Sequence, residues 1–252
     1  MKALVYSKNI GNGKPSDFGK VKDVCPFCDY KDVENIIEQK GEVIWTENKY
    51  PVLNKTHQTL IIETGHHENH LGNYAPEYAQ EMLKFAFHAW DEMKKSNEYN
   101  SVIFYKNHGP MSGGTLSHAH MQIIGLKENN AYEYIRTQHF VGVPIIREEL
   151  VQVNYSTQPF CGLRETNIIV EKENLDEAFP RFTQIIQTVF QHHLDKLIYS
   201  FNLFFYDFEG KIIVKFVPRY PTPPYFVGFG IPQVLDETTL IEDAQELAGK
   251  LC

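Results

Sequence analysis

The chain has 252 residues, 42% hydrophobic and 22% charged, and its 24 Lys and Arg against 32 Asp and Glu give a net charge of −8. That composition belongs to ordinary globular proteins, and the length suffices for one large domain or two small ones. The acidic balance argues against a nucleic-acid polymer or an anionic membrane as a broad partner. No apolar run reaches membrane-spanning length and Met1–Tyr6 lacks the apolar core of a signal peptide, so a cytoplasmic protein is expected.

Residues 1–24, rich in Gly, Lys, Asn and Ser, read as an N-terminal arm. Lys8, Asn9, Lys14 and Ser16 are its candidates for touching a ligand, a solvated arm being the plainer alternative. Cys25-Pro26-Phe27-Cys28 follows, and two thiolates at this spacing suit one tetrahedral metal. A redox pair needs a helix directly after it, which Asp29-Tyr30-Lys31-Asp32 does not suggest. Glu42–Thr46 reads as a strand, and Glu47-Asn48-Lys49-Tyr50-Pro51 as a turn in which Asn and Pro have ordinary turn roles. Gln58–Glu63 is the next strand, and His66, His67 and His70 come just beyond it. Pro76–Lys95 predicts a helix whose Tyr78, Met82, Phe85, Ala86 and Trp90 form an apolar stripe.

Ser101–Lys106 is a strand leading to Asn107-His108-Gly109, with Lys106 and His108 read as surface residues. Then comes Ser112-Gly113-Gly114-Thr115, whose amides can approach a phosphate because glycine lets the backbone come close. Leu116 to Leu126 closes as a strand. Alternation puts His118, His120 and Gln122 on one face, the two imidazoles roughly 7 Å apart, and Ala119, Met121 and Ile123 on the other. A neutral imidazole is a good nucleophile toward phosphorus at pH 7.

His118-Ala119-His120-Met121-Gln122 resembles the His-x-His-x-Gln motif of the histidine triad superfamily. Gln in third place resembles the galactose-1-phosphate uridylyltransferase branch, which also holds dinucleoside-polyphosphate and ADP-sugar phosphorylases. The resemblance implies His120 as the nucleophile that forms a nucleotidyl-histidine, with Gln122 bonded to the phosphoryl oxygen. It implies nucleotide contacts from Asn48 and Tyr50, and phosphate contacts from Asn107 and the Gly113-Gly114-Thr115 loop. It also implies a structural zinc on Cys25, Cys28, His67 and His118, with His66 or His70 as alternatives to His67. The branch's arginine-rich N-terminal segment is not recognisable in residues 1–24. Its members are often homodimers. The match runs over about residues 25–126.

After residue 130 the order strand, helix, strand, strand recurs: 167–171, 175–194 with Pro180 as an alternative helix start, 201–206 and 212–217. Val214-Lys215-Phe216 stands where His-x-His would fall, so this half has no such nucleophile. Arg219, Tyr220 and Tyr225 sit in a proline-rich loop, and 238–251 suits a last helix. The expected fold is α+β and HIT-like: arm 1–24, a catalytic half 25–135 and a degenerate second half 136–252, each an antiparallel sheet with packed helices. The expected activity is nucleotidyl transfer from a nucleotide sugar or dinucleoside polyphosphate to a sugar phosphate or phosphate. A hydrolase of the same superfamily and a non-catalytic, zinc-stabilised nucleotide-binding protein are the alternatives. Gln122 disfavours the hydrolase, which carries a third His there.

Overall fold

A computed structural model describes residues 2–16, 25–30 and 33–252. Met1, residues 17–24 of the arm, and Lys31 and Asp32 after the cysteine pair lie outside the described residues. The chain divides into two compact units, Met1–Tyr134 and Ile135–Cys252. No helix among the described residues is long and apolar enough to cross a membrane.

The first unit opens with a short helix, α1 (Lys8–Gly11), followed by strands β1 (Ile36–Lys40), β2 (Val43–Glu47) and β3 (Thr56–Ile62), helix α2 (Pro76–Lys95), and strands β4 (Ser101–His108) and β5 (His120–Leu126). The strands are antiparallel neighbours in the order β1-β2-β3-β5-β4. Helix α2 starts with Pro76 in its first turn, where the missing N–H costs nothing. It buries Met82, Phe85, Ala86 and Trp90, and the Trp90 ring lies 5.5 Å from that of Phe104 on β4. Strand β1 is absent from the sequence reading because every one of its side chains is exposed. Its place on the sheet comes from main-chain pairing with β2, which leaves no hydrophobic pattern.

Strand β4 runs on through His108, so Asn107 belongs to the strand and not to the loop after it. Strand β5 begins only at His120. His118, read as part of this strand, precedes it because its ring is turned away to the cysteine pair while its Nε2 meets the Thr64 carbonyl at 2.7 Å.

The second unit contains β6 (Gly142–Arg147), β7 (Gln152–Ser156), β8 (Thr166–Glu171), α3 (Leu175–Asp195), β9 (Phe201–Phe208), β10 (Lys211–Pro218), α4 (Pro224–Phe229) and α5 (Glu237–Leu251). Its sheet order is β6-β7-β8-β10-β9, the same pattern as in the first unit. The recurring plan is therefore three strands, a helix and two strands, with one more strand at the front of the first half than the sequence reading gave and two more in the second. Helix α3 starts at Leu175 and carries Pro180 inside it, because Ala178 and Phe179 are already buried ahead of the proline. His120, first residue of β5, stands opposite Ile62 at the end of β3. Lys211, first residue of β10, stands opposite Glu171 at the end of β8. Val214-Lys215-Phe216, expected at the position of His-x-His, lies further along its strand, facing 166–168.

Candidate active site and metal centre

The Cys25–Cys28 turn is closed by the Cys28 amide, which donates to the Cys25 carbonyl at 3.4 Å. Asp29 and Tyr30 then take left-handed backbone angles, φ 51° and 56°. Cys25, Cys28, His67 and His118 place their ligand atoms within 4.8 Å of one another. Sulfur to Nδ1 is 3.5 Å from Cys25 to His118, 3.4 Å from Cys28 to His67 and 3.6 Å from Cys28 to His118. Tetrahedral bonds of about 2.3 Å to sulfur and about 2.0–2.1 Å to nitrogen require nearly that separation, so the four groups fit one zinc-sized ion. The outer nitrogens are also held: His118 Nε2 on the Thr64 carbonyl, and His67 Nε2 on Ser117 Oγ at 2.9 Å. Burial pushes the Cys25 thiol up to about 11, and the neighbouring Cys28 adds to this. A cation at the centre of the four reverses that preference. Of the three candidate histidines after β3, the structure brings His67 to the cysteines. His66 sits 4.0 Å from Glu42 instead, and His70 Nδ1 accepts the Gly72 amide.

Phe27, between the two cysteines, joins this centre to the next. It packs with Ile44, Leu60 and Ile62, and its ring lies 5.8 Å from His118 and 5.5 Å from His120. His120 is 7% exposed, and its Nδ1 donates to the His118 carbonyl at 2.8 Å. A carbonyl only accepts, so this bond fixes the proton on Nδ1 and leaves the lone pair on Nε2. Burial lowers the His120 pKa to about 4, the Lys106, His118 and Lys14 charges adding and the His118 carbonyl opposing. The ring is therefore neutral at pH 7.

His120 and Gln122 line a cleft walled by Phe27, Leu60, Leu116 and Tyr50. Tyr105 donates to Gln122 Oε1 at 3.0 Å, which aims the amide nitrogen elsewhere. Asn48 and Thr115 also line the cleft. Asn48 Oδ1 accepts the Tyr50 amide at 2.9 Å, so its side-chain oxygen closes a turn at the cleft. Asn107, Gly113 and Gly114 are not among the residues that line this cleft. The Gly114 α-carbon sits so close to Asn107 that an added Cβ would come within 3.2 Å of its side chain. Gly113 has φ +87°, which glycine adopts without strain.

The sequence reading placed Lys106 on the surface and gave Tyr74 no role, and the structure corrects both. Lys106 is buried, 1% exposed, and pairs with Glu63 at the end of β3; its ammonium also lies 3.5 Å from the His120 carbonyl. Tyr74 donates to the other Glu63 oxygen at 3.1 Å. The alternation of Val102, Phe104 and Lys106 on β4 carried the signal, since all three point inward. Lys14, named only as one of several polar residues of the arm, lines the cleft beside His120.

Residues 6–129 match the N-terminal domain, and residues 132–247 the C-terminal domain, of the family described as a domain of unknown function (DUF4931). No curated protein sequence matches the chain. The crystal structure of a DUF4931 family protein from Bacillus cereus is 40% identical, with a TM-score of 0.76 over 86% of this chain and 99% of that one. An ADP-glucose phosphorylase from Arabidopsis thaliana with bound ADP-glucose has the same fold at 15% identity, TM-score 0.69, over 94% of this chain and 92% of that one. A uridylyltransferase does so at 13% identity, TM-score 0.69, over 92% of each chain. The chain thus has the fold that these two proteins share. By its sequence over nearly its whole length, the chain belongs to the DUF4931 family.

Proposed function

We propose that the protein is a nucleotidyltransferase or phosphorylase that works through a nucleotidyl-His120 intermediate. The observation that carries this reading is the His120 ring: neutral, held by its Nδ1–H on the His118 carbonyl, and lining a cleft beside Gln122. Nε2 attacks the α-phosphorus of a nucleotide donor, the P–O bond to the leaving phosphate breaks, and a P–N bond forms. An acceptor phosphate oxygen then attacks the same phosphorus and restores the imidazole. The Gln122 amide nitrogen donates to the phosphoryl oxygen in both steps, and the Thr115 end of the glycine loop supplies backbone donors where charge develops. Asn48 and Tyr50 hold the nucleoside.

Cys25, Cys28, His67 and His118 form a closed set of four ligands, the pattern of a structural zinc with no open position for substrate. The ADP-glucose of the Arabidopsis phosphorylase supports a nucleotide sugar as donor here. A dinucleoside polyphosphate is the other donor of this reading, and sugar phosphate or phosphate the acceptor. Incubation with α-phosphate-labelled ADP-glucose, UDP-glucose and diadenosine polyphosphate tests it. Acid-labile label on wild type and none on His120→Ala is the expected result. A protein that no donor labels refutes it.

A further inference from the structure

Two lysines are fully buried among the described residues, and each is answered by a carboxylate: Lys106 by Glu63, and Lys215 by Glu165 at 2.9 Å. Lys14 is different. It is partly buried in the cleft that holds His120, and its ammonium has no ion-pair or hydrogen-bond partner among the described residues. The other lysine of the cleft, Lys49, is tied to Glu34 at 2.8 Å. The position of Lys14 is built rather than accidental. The Ser7 amide donates to the Val52 carbonyl at 2.7 Å and the Asn54 amide to the Val5 carbonyl at 2.9 Å, which straps the arm along the segment after Tyr50. Helix α1 then turns the chain, the Lys14 amide donates to the Gly11 carbonyl at 3.2 Å, and Gly13 lies against the Tyr50 ring.

Desolvating a cation without a partner is unfavourable unless a ligand supplies the opposite charge. His120 is neutral and Gln122 uncharged, so neither balances a phosphate. We propose that Lys14 binds the pyrophosphate of the donor, so that the leaving phosphate departs against an ammonium and nucleoside diphosphate esters are favoured over monophosphate esters. Its ligand class rests on the nucleotidyl-transfer reading. The arm that the sequence left without a recognisable phosphate contact supplies one from a lysine of the same chain.

Calorimetric titration of wild type, Lys14→Met and Lys14→Arg with ADP, UDP, adenosine and uridine tests the proposal. Lys14→Met is expected to weaken the diphosphate that wild type binds by roughly ten- to a hundredfold and to flatten its salt dependence, with nucleoside binding unchanged. Lys14→Arg is expected to keep most of the affinity. Equal diphosphate affinity in Lys14→Met, equal loss of the nucleoside, or no diphosphate binding by wild type each overturns it. Labelling of His120 is read separately. Label that forms with an unchanged Lys14→Met affinity removes this proposal alone; Lys14-dependent binding without label removes nucleotidyl transfer alone.

Discussion

The two halves share one strand order, yet only one of them carries histidines at the start of its last strand. In the first, β4 and β5 are joined by residues 109–119, which hold the glycine loop and His118. In the second, β9 and β10 are joined by a tight turn at Glu209 and Gly210. Each half also buries one lysine–glutamate pair, used differently. Glu63 and Lys106 lie directly behind His120. Glu165 accepts the amides of Phe160, Cys161 and Gly162 at 2.8, 2.7 and 3.1 Å, so with Lys215 it fixes a loop. The sheet and its buried ion pair are common framework; chemistry depends on what one connection carries.

Removing a metal held by the Cys25, Cys28, His67 and His118 cluster would be the largest perturbation of that contrast. All four candidate ligands belong to the first half, so chelation is expected to lower the melting temperature of that half and abolish His120 labelling, while the second half melts as before. Calorimetry with elemental analysis checks this; gently purified protein with no bound metal contradicts it.

Next come the buried pairs. Lys106→Met and Lys215→Met each strand a carboxylate and should each cost about 3–5 kcal/mol in denaturant unfolding. Only Lys106→Met should also slow labelling of the residual folded protein. Equal effects on labelling would show that the two pairs do the same work.

The smallest effect is the pH dependence that one buried histidine of the second half contributes. His193 on α3 is buried, donates from Nδ1 to the Val189 carbonyl at 2.8 Å and leaves Nε2 without a partner. Burial lowers its pKa to about 4, with the Val189 bond opposing and the His192 and Arg164 charges adding. Between that value and the ordinary one near 6.5 the unfolded chain binds the extra proton, so stability is complete above about pH 6.5 and falls as pH drops. The loss reaches about 3 kcal/mol near pH 4. His193→Leu should flatten this slope in unfolding curves measured from pH 7 to 4.5.

Much of this was legible in the sequence wherever side chains carry the signal. Pro76 and the apolar stripe gave α2 its bounds, and Cys-x-x-Cys with His67 and His118 anticipated a cluster that the fold closes. Strand β1 was invisible because backbone pairing, not side-chain burial, holds it. Lys106 was misread as surface because charge outweighed the inward alternation of its strand. Lys14 could not be ranked among the arm's polar residues, since its place depends on main-chain bonds to 52–54 that no local pattern announces.

Phe27 has one more consequence. Its benzene ring lies between the cysteine cluster and the proposed nucleophile, 5.8 Å from the His118 ring and 5.5 Å from that of His120. Because that one side chain borders both imidazoles, a shift of the cysteine turn reaches His120 through it and not through any strand.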